Sequence, residues 1–248
     1  MKRPSIISAL AEPARASGEF VTSVGLLPFY RLLPRGDGHP VLVLPGFMAA
    51  DGSTSPLRLV LTALGYETHP WGLGRNMGPT ERVMDGMPEL LHRIAGEAGR
   101  SVSIVGWSLG GVYGRDLAAR HPDLVRSLVT LGTPTRPAVR YTSNAAPLYN
   151  ALRNFHASDR DRFDDGEPLE RPVTAIHTRS DGIIHWKTCL IRETANSENL
   201  RVRGSHVGLG HNPAVIYIIA DRLAQPEGRW TPFVAPAAYR RVVTAVSA

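Results

Sequence analysis

The stretch Val102-Ser103-Ile104-Val105-Gly106-Trp107-Ser108-Leu109-Gly110-Gly111 passes from a β-branched, strand-forming run directly into a helix-forming one, with Gly-x-Ser-x-Gly at the junction. A strand-to-helix turn this tight forces its central serine into a sparsely populated backbone conformation with the hydroxyl projecting. The residues two before and two after it must then be tiny. Gly106 and Gly110 meet that demand. Ser108 is therefore a candidate nucleophile, and the flanking strand and helix give the short motif its meaning.

The rest of the chain repeats the same rhythm. Pro40 to Leu44 is a continuous apolar run of the buried-strand type that ends at Pro45-Gly46. A helix fits Pro56 to Leu64, closed by Gly65, and Tyr66 to Trp71 has extended character. Val83, Met84, Met87, Leu90, Leu91, Ile94, Ala95 and Ala98 recur at helical spacing before Gly99, with Pro88 expected to kink this helix or mark its start. Further strands are expected at Val125 to Leu131, Arg171 to Thr178 and Asn199 to Arg203, and a closing helix at Ala214 to Leu223. Such alternation predicts an α/β fold, a mostly parallel central sheet with helices on both faces and with sites beyond the carboxyl ends of its strands.

Three segments break the rhythm. The N-terminal arm before Gly36 shows no clear element, and the tail from Gln225 reads as irregular. Thr135 to Glu170 lacks a strand and is long for a structureless loop, so a cap over the site is expected there, within one domain spanning 1–248.

A serine hydroxyl is a weak nucleophile, and it needs a base to take its proton and a third group to hold that base in the right tautomer. Asp181 follows one late strand in a Ser-Asp-Gly turn, and His206 follows the next in a Gly-Ser-His turn. Their order in the chain, Ser then Asp then His, is the one expected when the groups sit on successive strand ends. His185 and His211 are rivals for the base, although His185 falls in the helix expected after Asp181, which includes Trp186 to Ile191, and His211 leads into the closing helix. Asp159, Asp161, Asp164 and Asp165 read as solvated charges of the cap. Attack on a carbonyl places negative charge on oxygen, so backbone donors are needed: the amide of Leu109, after the nucleophile, and that of Phe47, after Pro45-Gly46. Trp107, Phe47, Met48 and Trp71 are candidates for an acyl pocket or for plain core packing.

Composition removes several other classes. At 43% hydrophobic and 20% charged residues the chain is ordinary globular material, and its longest apolar run, Ala214 to Ala220, is far short of a bilayer span of about 20 residues. The N-terminal stretch lacks the continuous apolar centre of a secretory signal, which leads to a cytoplasmic expectation. Cys189 is the one cysteine, so no disulfide framework exists, and it reads as a core thiol. The net charge of +6 is spread along the chain without long like-charged runs. That argues against nucleic acid and leaves peripheral contact with a membrane open. No paired-Cys site, HExxH helix or glycine-rich dinucleotide fingerprint is present, so neither metal nor cofactor is expected.

With Gly106-Trp107-Ser108-Leu109-Gly110-Gly111, the Asp181-Gly182 turn and His206 in place, the chain resembles the α/β-hydrolase superfamily from about Pro40 to Leu223, most of all its bacterial lipase and esterase branches. The resemblance implies Ser108 as nucleophile, His206 as base, Asp181 as its orienter, and Phe47 and Leu109 as oxyanion donors. Many lipases carry His-Gly where this chain has Pro45-Gly46. The implied substrate is a small-molecule carboxylic ester. A thioester, lactone or amide would use the same residues, and a non-catalytic binding protein could keep the fold.

Overall fold

Successive residues of the run Pro40–Leu44 point to opposite faces of a strand, and both faces are covered. Val41 and Val43 enter one apolar core, Leu42 and Leu44 another. In the computed structural model, which describes residues 2–135, 143–157 and 167–246, this is β1 (Pro40–Leu44), one strand in from the edge of a sheet. The other strands are β2 (Glu67–Pro70), β3 (Val102–Trp107), β4 (Val125–Leu131), β5 (Val173–Thr178), β6 (Ser197–Val202) and β7 (Val243–Ala245). Their order is β2-β1-β3-β4-β5-β6-β7, parallel throughout except for β7, which pairs antiparallel with β6. The mostly parallel sheet with helices on both faces is the architecture that the alternation leads one to expect.

The helices among the described residues are α1 (Ile6–Leu10), α2 (Glu12–Tyr30), α3 (Asp51–Ala63), α4 (Glu81–Ala98), α5 (Leu109–Arg120), α6 (Ala146–Ala151) and α7 (Pro213–Leu223). Residues of α3 and α7, with the end of α2, fill one core, and those of α4 and α5 fill the other. α4 starts at Thr80, whose side chain accepts from the Val83 amide, and ends at Gly99 in the left-handed region. Pro88 lies inside this helix and does not start it. α3 begins five residues earlier than Pro56, at Asp51, and the Ser53, Thr54 and Ser55 hydroxyls bond back to the carbonyls of Ala50 and Asp51 within its first turns. These local bonds are invisible to a periodicity argument.

Three expectations are corrected. The N-terminal arm forms α1 and α2, and α2 buries Glu12 and Ser23 along with Ala16 and Tyr30. Its small and β-branched residues hide a helical pattern because the outward face is apolar as well. In the tail, Val243–Ala245 adds an edge strand. The stretch expected as a helix at Trp186 to Ile191 is a single 3₁₀ turn, Trp186–Cys189, with Cys189 buried as a core thiol. Burial pushes that thiol's pKa well up. Of the cap expected at 135–170, residues 136–142 and 158–166, including Asp159, Asp161, Asp164 and Asp165, lie outside the described residues. The described part holds α6, whose Tyr149 ring meets Phe47 edge-on at 5.5 Å.

Candidate active site

β3 delivers Ser108 into α5 with φ 52° and ψ −119°, a strained backbone for a side-chain-bearing residue. The turn closes only because its neighbours lack side chains. A Cβ on Gly106 would lie 2.4 Å from the Gly111 Cα, and one on Gly110 would lie 2.5 Å from the Leu44 carbonyl oxygen. The third glycine is required too, since a Cβ on Gly111 would meet the Thr133 Oγ1 at 2.0 Å, and that hydroxyl donates to the Ser108 carbonyl at 2.9 Å.

The strand ends of β5 and β6 bring the other two groups in. His206 Nε2 is 3.0 Å from Ser108 Oγ, and His206 Nδ1 is 2.6 Å from Asp181 Oδ2. The other Asp181 oxygen accepts from the amides of Ile183 and Ile184, which fixes the carboxylate. Asp181 and His206 are buried, whereas Ser108 is partly exposed. Burial alone would lower the His206 pKa. The charge and hydrogen bond of Asp181, with a further contribution from Glu12, outweigh it and hold the imidazole above its ordinary value of 6.5. Such an arrangement can take a proton from Ser108 and hold it on an ion-paired imidazolium.

Neither rival histidine reaches the serine. His185 stacks on Trp186, and His211 packs edge-on against Phe20 and Trp107. Asn212, and not His211, caps α7 through its side chain. Of the pocket candidates, Trp71 is core, with its indole N–H donating to the Gly74 carbonyl. Trp107 donates to the His206 carbonyl at 3.1 Å, so it braces the histidine loop. Phe47 and Met48 are half-buried.

The two amides expected as oxyanion donors, those of Phe47 and Leu109, have no hydrogen-bond partner among the described residues. Gly46 lies against the serine, since a Cβ there would be 3.3 Å from the Ser108 Cβ. The loop after β1 is held by Asn76, fully buried, whose Nδ2 donates to the Pro45 carbonyl at 2.8 Å. The Asn76 main-chain carbonyl accepts from Met48, and its amide donates to Ala49. Met48, with φ 63°, carries the strain of this bend.

A family model described as alpha/beta hydrolase fold matches residues 72–181. The structure superposes on Aspergillus fumigatus lipase B with a TM-score of 0.59 at 15% identity, covering 77% of this chain and 53% of that one. An alpha/beta superfamily hydrolase from Oenococcus oeni PSU-1 gives 0.55 at 16% identity, covering 75% of this chain and 91% of that one. The pyrethroid hydrolase PytH gives 0.54 at 16% identity, with 74% and 96% covered. This chain has the α/β-hydrolase fold. It is also similar to the human serine hydrolase BPHL, 27% identical over 188 residues, which are 68% of this chain and 60% of that protein. The chain thus spans less than two thirds of that relative and about half of the Aspergillus lipase.

Around this α/β-hydrolase core the N-terminal helices supply residues that sequence reasoning missed. The Glu12 carboxylate, 1% exposed, accepts from the Gly182 amide and from the Val207 amide, each at 2.8 Å. Glu19 accepts from the Ser205 amide at 2.7 Å and from the Asn212 side chain at 3.0 Å. One helix therefore ties the Asp181 turn to the His206 turn. Gly132, with φ 56°, was missed as well; a Cβ there would sit 2.9 Å from His206 Nδ1. Its one visible signal was the Gly-Thr-Pro that ends β4.

A second hydrogen-bonded chain of the same residue types lies toward the opposite end of the sheet. His39 bridges Asp37 at 2.5 Å and Ser103 Oγ at 2.9 Å. His39 and Ser103 are both 0% exposed, so no substrate reaches them. Partial burial works against ionisation of Asp37, but hydrogen bonds from His39, Arg126 and Arg100 hold its carboxyl well below the usual range.

Among the described residues no three His, Cys, Asp or Glu side chains gather as metal ligands. No helix among them is long and apolar enough to cross a membrane.

Proposed function

We propose that this protein is a serine hydrolase that cleaves carboxylic esters through an acyl-Ser108 intermediate. The observation that carries the reading is the hydrogen-bonded run Asp181, His206, Ser108 at the strand ends, with the serine on a strained elbow. In the proposed mechanism Ser108 Oγ attacks the ester carbonyl carbon while its proton passes to His206 Nε2. Asp181 accepts from His206 Nδ1, which fixes the tautomer and stabilises the imidazolium. The amides of Phe47 and Leu109 stabilise the oxyanion; one such donor contributes about 3 kcal/mol in comparable sites. His206 then gives its proton to the departing alkoxide. Water attacks the acyl-serine, its proton going to His206 and then back to Ser108, and the carboxylic acid leaves. No cofactor or metal takes part.

The Phe47 ring packs against Tyr149, and this pair beside the proposed oxyanion donor suits an acyl group. The lipase and hydrolase names of the structural relatives agree with an ester substrate. A thioester, lactone or amide would use the same residues and is the second reading. A cytoplasmic location fits a protein whose single cysteine is buried and unreactive.

The test is burst release of p-nitrophenol from p-nitrophenyl esters of graded chain length, by wild type and Ser108→Ala. A stoichiometric burst is expected from wild type, with turnover reduced by at least about three orders of magnitude in the variant. Equal turnover by the two proteins would defeat the reading. A folded wild type that neither turns over esters nor reacts with a fluorophosphonate would leave a binding protein on an α/β-hydrolase fold.

A further inference from the structure

The N-terminal helices turn Glu12, Glu19 and Ser23 inward while leaving many large apolar side chains outward, which water disfavours. Ile6, Ile7 and Leu10 on α1, and Val21, Leu27 and Phe29 on α2, are between 50% and 81% exposed. Leu59 of α3, 70% exposed, extends this surface beside an apolar cavity of about 480 Å³ between α2 and α3. Large exposed apolar side chains gathered on consecutive helices beside an apolar cavity mark a contact surface.

The charges of the same segment say what it contacts. Glu12 and Glu19 are the only acidic residues in 2–35, and both are turned inward onto backbone amides and the Asn212 side chain of the Asp181 and His206 turns. Lys2, Arg31 and Arg35 are exposed at the two ends of the apolar stretch. Arg15 of α2 donates to the Ser180 carbonyl at 2.7 Å, and Ser180 lines a cleft of about 270 Å³ together with Arg179, Arg201, Arg203 and Arg241. No acidic residue lines that cleft, and among the described residues none of these four arginines is in an ion pair.

An apolar face flanked by unopposed cations is complementary to a lipid surface with anionic headgroups. The side chains enter the acyl boundary, while Lys and Arg reach up to phosphate. A second copy of the same face would set cations against cations, which disfavours self-association.

We propose that α1, α2 and the adjoining arginine cleft form a docking surface for an anionic phospholipid bilayer, on which the helices lie in the headgroup boundary without spanning it. The inference goes beyond the proposed chemistry and needs no turnover. The inward face of α2 holds the His206 turn, so docking would bring the hydrolytic site close to the lipid surface.

The test is cosedimentation of the full chain with vesicles of phosphatidylcholine alone and of phosphatidylcholine mixed with phosphatidylglycerol. Binding to the mixed vesicles, falling steeply with added salt, is expected, with far weaker binding to the neutral ones. Ile7→Ser/Leu10→Ser should weaken partitioning by about tenfold or more. Arg31→Gln/Arg35→Gln and Arg201→Gln/Arg241→Gln should each weaken it by about fivefold per cation removed. All these positions are exposed or half-exposed, and unchanged circular dichroism and melting of each variant establish that folding is intact. Absence of binding at low salt, equal binding to both vesicle types, or binding insensitive to the substitutions would overturn the proposal. So would a concentration-dependent dimer in sedimentation velocity that disappears in Ile7→Ser/Leu10→Ser, which would assign the face to a second copy. Inorganic phosphate should displace the protein no better than chloride at equal ionic strength. Full displacement by phosphate would make the cleft a site for the free ion and remove it from the docking surface.

Discussion

Glu12 accepts a hydrogen bond of 2.8 Å from the amide of Val207, the residue that follows His206, although the two lie 195 positions apart. Its other oxygen does the same for Gly182, next to Asp181, and its charge helps to raise the His206 pKa. A general base works when neutral, so activity should rise with pH through that raised pKa, with an acid limb above 6.5. Glu12→Gln removes the charge and one acceptor. The limb of kcat/KM for a soluble ester should then move to lower pH, while thermal stability falls. A purely structural role would lower the rate without moving the limb.

The elbow glycines and the helix glycines should respond to alanine with opposite signs. Gly106→Ala and Gly110→Ala put a methyl group within 2.5 Å of backbone atoms, which cannot yield as a side-chain end can. Each should cost about 3 kcal/mol or more of unfolding free energy in a denaturant titration. Gly96, exposed within α4, has nothing within 4 Å of its missing Cβ. Gly96→Ala should stabilise by up to about 1 kcal/mol.

Asn76 should matter for rate more than for substrate binding. Its side chain holds the Pro45 carbonyl and accepts from the Gly78 amide, so Asn76→Ala leaves buried polar groups unpaired at about 1–3 kcal/mol. The loop that presents the Phe47 amide would loosen with it. Steady-state kinetics on a soluble ester should give kcat reduced by about tenfold or more with KM nearly unchanged. A rise in KM at constant kcat would place Asn76 in substrate binding instead.

Acid sensitivity should trace in part to His177, whose ring stacks on Trp186 with its two nitrogens unpartnered among the described residues. Burial, and then the charges of Arg201 and Arg179, push its pKa down to about 4. The unfolded chain takes up this proton near 6.5, so stability is complete above that pH and is lost as the pH falls toward about 4. The shift corresponds to about 3 kcal/mol. His177→Phe keeps a ring on Trp186, and the fall in unfolding free energy between pH 7 and pH 4 should shrink by a similar amount.

The sheet was legible because β1 is a continuous apolar run and β3 to β5 are almost wholly buried segments rich in β-branched and aliphatic residues, bounded by turn residues. Ser108, Asp181 and His206 could be named because each lies in the turn that ends an expected strand. The residues that hold them were not legible. Glu12 lies in a segment without clear periodicity, and its partners are backbone amides, which leave no trace in residue identity. Asn76 lies in a glycine-rich stretch that carries no pattern, and its role depends on a loop 31 positions away. Trp107 was seen as pocket or core, and only its bond to the His206 carbonyl shows it to be a brace.

The relay of Asp37, His39 and Ser103, whose histidine and serine are fully buried, has a practical consequence. Any template that searches for reactive serines by interatomic spacing alone would return two answers for this chain, of which one is sealed in the interior. Accessibility decides between them, so exhaustive fluorophosphonate treatment should attach a single adduct per polypeptide by intact mass, and peptide mapping should locate it at Ser108, with Ser103 untouched.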